Sequence, residues 1–288
     1  MNVRELADRL HEALEGVPHA ERPIFVKGWA SNLANEEKAA VMTLIGLFGF
    51  EIPRSKHVLV LLHGIRTAAV WQDLVEEAFD GTDIRVIPIG YEYHDAFRFL
   101  FPYRRRVVNY VRGQLRQVTR DWNGAEISLI AHSFGTYITS QILRTDTDVR
   151  FKRIAFCGSV VPAKFKWASI PGLPGRDNFV NEVGYRDVWP VFARAFGFGY
   201  GTSGSFGFRQ AMIQDRFHNL DHSGFFDRSW IRRFWLPFIE QGIVLRSETG
   251  RPNPPLWTQL INVVSPKYLI PLILLIYVLC RYYPWAFG

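Results

Sequence analysis

The most regular feature of the chain is a series of short apolar runs, each followed by a longer stretch with helical spacing. HVLVLLHG, from His57, is apolar at nearly every position. A run of that kind predicts a strand of a parallel sheet buried on both faces. IRVIPIGYEY from Ile84, EISLIAHS from Glu126, RIAFCGSVV from Arg153 and NFVNEVG from Asn178 predict further strands, and AMIQDRF from Ala211 a weaker one. TAAVWQDLVEEAF follows the first strand as a helix. Tyr103 to Arg120 is predicted as another, with Val108, Val111, Leu115 and Val118 on one stripe and Arg105, Arg112, Arg116 and Arg120 facing elsewhere. The alternation predicts an α/β fold, a mostly parallel central sheet with helices on both faces. In such sheets functional groups gather at the C-terminal ends of the strands.

The two ends of the chain have a different pattern. Residues 3–15 predict an amphipathic helix with Val3, Leu6, Leu10 and Leu14 as its stripe, and Asn35 to Phe50 a second helix that either packs in the interior or touches a membrane. Near the C-terminus, Tyr268 to Cys280 is an uncharged run between Lys267 and Arg281. Extended over its flanks from Val263 to Phe287, it is long enough for a shallow or spanning membrane anchor. If it spans, Arg246, Arg251 and Lys267 on its N-terminal side keep the preceding domain facing the cytoplasm. The expected organisation is an N-terminal helical extension over 1–55, a catalytic-sized α/β domain over 56–245, and a linker with a hydrophobic tail helix over 246–288.

Composition narrows the function classes. With 288 residues, 48% hydrophobic and 21% charged, the chain can build a large core, and global disorder is not expected. The net charge of +7 suits nucleic acid or an anionic membrane surface. No nucleic-acid motif accompanies it, so a membrane is the expected partner. The N-terminus has no apolar signal core. The two cysteines, Cys157 and Cys280, have no metal spacing, and no phosphate-binding glycine loop is present. No cofactor or metal is expected. Two segments rich in Pro, Gly and aromatics, Val161–Gly175 and Gly197–Phe208, are candidates to roof a pocket, or else plug the edge of the core with their aromatic rings.

Candidate chemistry centres on ISLIAHSFGTYITSQIL, Ile127 to Leu143. Ile127 to Ala131 read as a buried strand and Thr136 to Leu143 as a helix. The turn between them carries small residues at Ala131, Ser133 and Gly135, as a tight strand-to-helix turn requires. Such a turn lifts its central side chain into the open ahead of a helix N-terminus, the geometry of a nucleophile elbow with Ser133 at its tip.

Strand–AHSFG–helix, preceded by strand–HGIRTAAVW, resembles the α/β-hydrolase superfamily over roughly residues 56–245, with Ala131 in place of the usual first glycine of GxSxG. The GSVVP and HSGFF stretches are also similar to a group of bacterial hydrolase-like proteins. The resemblance implies an acid and a histidine following Ser133 in that order, each after a strand. Asp187, in the exit loop of NFVNEVG, fits the acid. Asp177 precedes that strand and belongs at the wrong end of the sheet. His222, in NLDHSGFF, fits the base, with His218 as its rival. The implied oxyanion donors are the backbone N–H groups of Phe134 and of Ile65 in the HGIR loop. His63, Gly64, Arg66 and His132 are the expected residues around the substrate. His63 is read chiefly as a loop-fixing ring, and Arg66 either binds an anionic group or pins the loop. The implied function is a membrane-associated serine hydrolase cleaving a carboxylic ester of a small molecule or lipid. The alternatives are an acyltransferase, amidase or thioesterase using the same triad, and an inactive membrane-bound binding module.

Overall fold

The computed structural model describes residues 2–50, 55–64, 70–91, 104–250, 255–263 and 266–282. In chain order the helices are α1 (Val3–Leu14), α2 (Arg22–Ala30), α3 (Asn35–Phe48), α4 (Val70–Ala78), α5 (Arg104–Asp121), α6 (Phe134–Thr145), α7 (Trp189–Phe196), α8 (Ser203–Phe206), α9 (Arg228–Gln241), α10 (Leu256–Val263) and α11 (Pro266–Tyr282). The strands are β1 (His57–Leu62), β2 (Ile84–Ile89), β3 (Glu126–His132), β4 (Ile154–Cys157), β5 (Phe179–Gly184) and β6 (Gln214–His218). They form one sheet in the order β2-β1-β3-β4-β5-β6, and every pairing is parallel. This is the α/β architecture that the strand–helix alternation predicts, with every described strand pairing parallel.

The central strands are rich in apolar residues because both sheet faces are covered. Alternate residues of β1 point to opposite sides. Val58, Val60 and Leu62 join the cluster under α5 and α6, whereas Leu59 and Leu61 join the one under α4 and α9. α9 begins where the Asp227 carboxylate accepts the Trp230 N–H (2.9 Å) and ends at Gly242, whose left-handed backbone closes its C-terminus. Its stripe of Trp230, Ile231, Phe234, Trp235, Phe238 and Ile239 is buried.

The three N-terminal helices bury a separate cluster around Leu6, Leu10, Leu14, Val26, Val41 and Leu44. α3 is a packing helix along Val41 and Leu44 only, since Met42, Leu47 and Phe48 are exposed. The buried Asp8 carboxylate ties α1 to the start of β1 by accepting the N–H and hydroxyl of Ser55, at 3.0 and 2.9 Å.

Of the two alternatives for the segment after β4, the packing favours the plug. Trp167 is fully buried there, edge-on to Phe156, Phe179 and Phe208, so the Pro/Gly-rich stretch plugs the core edge with its aromatics. One expectation needs correction. The tail does not supply the expected transmembrane helix: among the described residues no helix is long and apolar enough to cross a membrane. α11 has 17 residues, a length of about 25 Å against the ~30 Å of a hydrocarbon core. Residues 283–288 and Arg251 lie outside the described residues.

Candidate active site

β3 ends at His132, and α6 begins at Phe134. The single residue between them, Ser133, has φ 53° and ψ −115°, in the left-handed half of backbone space that non-glycine residues rarely occupy. Two contacts hold it there. Its N–H donates to the Cys157 carbonyl at the end of β4 (2.9 Å), and its carbonyl accepts the Thr136 hydroxyl (2.6 Å). Gly135 makes the turn sterically possible, since a Cβ at that position would lie 2.4 Å from the Leu62 carbonyl oxygen.

The candidate acid and base follow β5 and β6, beyond β4 in the sheet. β5 ends at Gly184 and β6 at His218, residues paired in register, so their exit loops start side by side. Backbone bonds stitch the loops together: Tyr185 N–H to the His218 carbonyl (3.1 Å) and Arg186 N–H to the Leu220 carbonyl (3.2 Å). Asp187 is buried. Its Oδ1 accepts the Trp189 N–H (3.0 Å), and its backbone carbonyl accepts the Ser205 hydroxyl (2.6 Å), which fixes the carboxyl so that Oδ2 faces His222.

His222 Nδ1 lies 2.8 Å from Asp187 Oδ2, and His222 Nε2 lies 3.0 Å from Ser133 Oγ. A carboxylate only accepts, so Nδ1 carries the proton and Nε2 presents its lone pair to the serine hydroxyl. The three side chains, far apart in sequence, meet at the C-terminal edge of the sheet. Asp177 does not take part: it is exposed ahead of β5 and accepts from Gln214 (2.9 Å). His218 is buried between Glu182 (3.0 Å) and Glu248 (3.2 Å), away from Ser133.

Phe134 is the first residue of α6, so its N–H belongs to the positive end of that helix, beside the serine. Ile65 and Arg66 lie outside the described residues. The His63 ring is bonded to its own loop and to Tyr91. Its Nδ1–H donates to the Gly64 carbonyl (2.6 Å), its Nε2 accepts the Tyr91 N–H (3.4 Å), and its ring stacks on Tyr91 at 4.4 Å. Burial holds its pKa below the usual histidine value, although the Gly64 carbonyl pulls the other way. Gly64 packs directly against the serine, and a Cβ there would stand 2.7 Å from Ser133 Cβ.

His132 departs from expectation. It is fully buried and thus closed to a substrate. Its Nε2–H donates to the His222 backbone carbonyl (3.0 Å), and its ring lies 4.5 Å from the His222 ring and edge-on to Phe226 at 4.8 Å. Burial first, and then the neighbouring His222, hold its pKa well below the usual value, so it stays neutral. Its contacts are to the His222 loop.

Gly158, just past β4, is the site residue that sequence reasoning missed. It has φ +55°, and a Cβ there would lie 2.8 Å from His222 Cε1, 2.9 Å from Nδ1 and 3.2 Å from Asp187 Oδ2. Only a residue without a side chain leaves room for the acid–base pair over the end of β4. GSVVP carried that signal, since a glycine directly after a central strand marks close approach. Among the described residues, no group of three His, Cys, Asp or Glu side chains could hold a metal ion. An open cavity of about 560 Å³ at the N-terminal end of β2, lined by Arg4, Glu5, Glu76 and Arg85 among others, includes none of these site residues.

An all-parallel sheet, a strained serine between a central strand and a helix, and an acid and a histidine on the next exit loops define the class as α/β-hydrolase fold. No protein-family model matches the chain, and no curated protein does. Solved structures with a similar course include the poly(3-hydroxybutyrate) depolymerase LpqC from Bordetella parapertussis, at 11% identity and a TM-score of 0.44, covering 72% of this chain and 83% of that one. Another is an α/β serine hydrolase without a lid from Xanthomonas campestris, at 10% identity and a TM-score of 0.42, covering 65% and 81%. A protein from Bacillus cereus is similar at 12% identity and a TM-score of 0.47, covering 84% and 100%. At these identities nothing about substrate passes from those proteins to this chain.

Proposed function

We propose that the chain is a serine hydrolase that cleaves a carboxylic ester by way of an acyl-enzyme. The observation that carries the reading is the unbroken relay from Asp187 Oδ2 through His222 to Ser133 Oγ, at 2.8 and 3.0 Å. A serine hydroxyl is a weak nucleophile at neutral pH and needs a base within hydrogen-bond reach. In the proposed reaction Ser133 Oγ attacks the ester carbonyl carbon while His222 Nε2 takes the hydroxyl proton. Asp187 keeps the imidazole in the tautomer with Nδ1 protonated and stabilises the imidazolium. The Phe134 N–H faces the developing oxyanion, and the Ile65 N–H is assigned as the second donor. As the carbonyl re-forms, the ester C–O bond breaks and the alcohol leaves with the proton from Nε2. Water then attacks the acyl-enzyme, again giving its proton to His222, and the carboxylic acid departs with Ser133 restored.

The test is hydrolysis of a chain-length series of p-nitrophenyl esters by the unsubstituted protein and by Ser133→Ala and His222→Gln. Each substitution is expected to lower kcat by at least about 10³-fold, because the parts of a triad act as a unit. Equal turnover by Ser133→Ala would overturn the proposal.

A further inference from the structure

α11 is clamped to the rest of the molecule at its N-terminal end and is uncharged from there until Arg281 in its last turn. Lys267, in its first turn, donates to the Arg194 and Gly197 carbonyls at the C-terminal end of α7, at 2.6 and 2.7 Å. Beyond that clamp, Leu272, Ile273, Leu274, Leu275, Ile276 and Tyr277 are each about half exposed or more. Successive residues of a helix stand 100° apart, so six in a row point in every direction around the axis. A groove on a protein covers one stripe of a helix and leaves the rest of such a girdle in water, whereas an acyl layer takes up apolar side chains from several sides as the helix sinks into it.

The surroundings of the clamp add charge. Arg104 donates to the Phe198 carbonyl (2.6 Å), and the Lys267 ammonium stands 5.3 Å from the Phe198 ring. Phe196 and Phe198 are themselves exposed, so apolar rings are bordered by cations, the arrangement that suits anionic headgroups over an acyl layer. The same surface leads to the site. Phe192 lies 6.2 Å from Trp189, and the exposed Trp189 ring lies 6.3 Å from the His222 ring. At the other end Phe192 meets Phe196 at 6.4 Å, and Phe198 meets Tyr268 of α11 at 6.0 Å.

We propose that α11 and the Phe196–Phe198 segment dock on an anionic lipid surface without crossing it, and that the aromatic strip along α7 leads the acyl chain of a lipid-borne ester to Ser133. The docking stands by itself; the substrate class rests on the hydrolase reading. The test floats the full chain carrying Ser133→Ala with vesicles of phosphatidylcholine, with and without phosphatidylglycerol. Flotation is expected with the anionic vesicles and is expected to fall at least about tenfold when Leu272→Ser and Ile276→Ser are added, since two large apolar side chains leave the lipid. Circular dichroism checks that the added substitutions leave the fold in place. Absence of flotation, equal flotation of the serine variant, or a dimer that those substitutions dissolve without any vesicle binding would each overturn the docking. The unsubstituted chain is assayed alongside on a short, soluble ester. Hydrolysis without flotation defeats the docking alone, and flotation without hydrolysis defeats the hydrolase reading alone.

Discussion

Gly158→Ala tests how tightly the acid–base pair is built onto the sheet. The new Cβ would stand 2.8 Å from His222 Cε1 and 2.9 Å from Nδ1, where ordinary carbon contacts lie at about 3.5–4.0 Å. The imidazole therefore has to retreat by roughly 0.7 Å, or the end of β4 has to move under it. Either shift disturbs the 3.0 Å approach of Nε2 to Ser133 Oγ. Misplacement of that size is expected to lower kcat/KM by about 10- to 100-fold. The substitution also puts a side chain on a backbone at φ +55°, at a cost of about 1 kcal/mol in stability. Gly124→Ala separates the two effects, because Gly124 has φ +84° with nothing within 4 Å of its would-be Cβ. Steady-state hydrolysis of p-nitrophenyl acetate and urea unfolding are measured on both variants. Gly124→Ala should lose stability and keep full activity, whereas Gly158→Ala should lose both. Unchanged kcat/KM in a folded Gly158→Ala protein would refute the packing argument.

Three further outcomes follow from buried polar groups. His132→Phe removes the donor to the His222 carbonyl and is expected to lower kcat by about tenfold with little change in KM, the scale of one lost hydrogen bond; an equal rise in KM would point to substrate contact instead. Glu182→Gln leaves the buried Arg216 guanidinium without its carboxylate and is expected to cost about 3 kcal/mol in urea unfolding. Burial opposes ionisation of Glu182, but Arg216 and His218 hold its pKa below the ordinary value, so the lost charge matters at neutral pH. His57, bonded to the Ser128 hydroxyl at 2.9 Å, has its pKa lowered to about 4 by burial and then by Lys152. The unfolded chain takes up that proton near pH 6.5 and the folded one only near 4, so stability falls on acidification through that window. The full loss is roughly 3 kcal/mol, and a His57→Gln protein should show a shallower slope of unfolding energy against pH.

The sheet was legible because five of its strands are apolar on both faces, and periodicity alone marks such runs. β6 was faint for a physical reason: its QDRFH sequence places Arg216 and His218 inside, where Glu182 and Glu248 satisfy them. Charges that find their partners across strands look like a loop in one dimension. Small residues around Ser133 marked the tight turn that carries it, and the order in the resemblance pointed to Asp187 and His222, the two side chains that meet it. Which histidine turns toward the serine depends on the β5–β6 register and on His132 seating the next loop, and neither is written in local sequence. Proline, glycine and aromatics made the stretch after β4 read equally as a lid or a plug, because burial of Trp167 is a tertiary fact. The tail was read as a shallow or spanning anchor over Val263 to Phe287, a stretch that includes residues outside the described ones; the described α11 is by itself too short to cross.

The central claim is that Ser133 is the nucleophile. Its most direct test is labelling of the intact protein with a fluorophosphonate, followed by mass mapping of the adduct. The account predicts one phosphonyl group on Ser133, lost in Ser133→Ala and greatly slowed in His222→Gln. An adduct on another residue, or undiminished labelling of a folded Ser133→Ala protein, would contradict it.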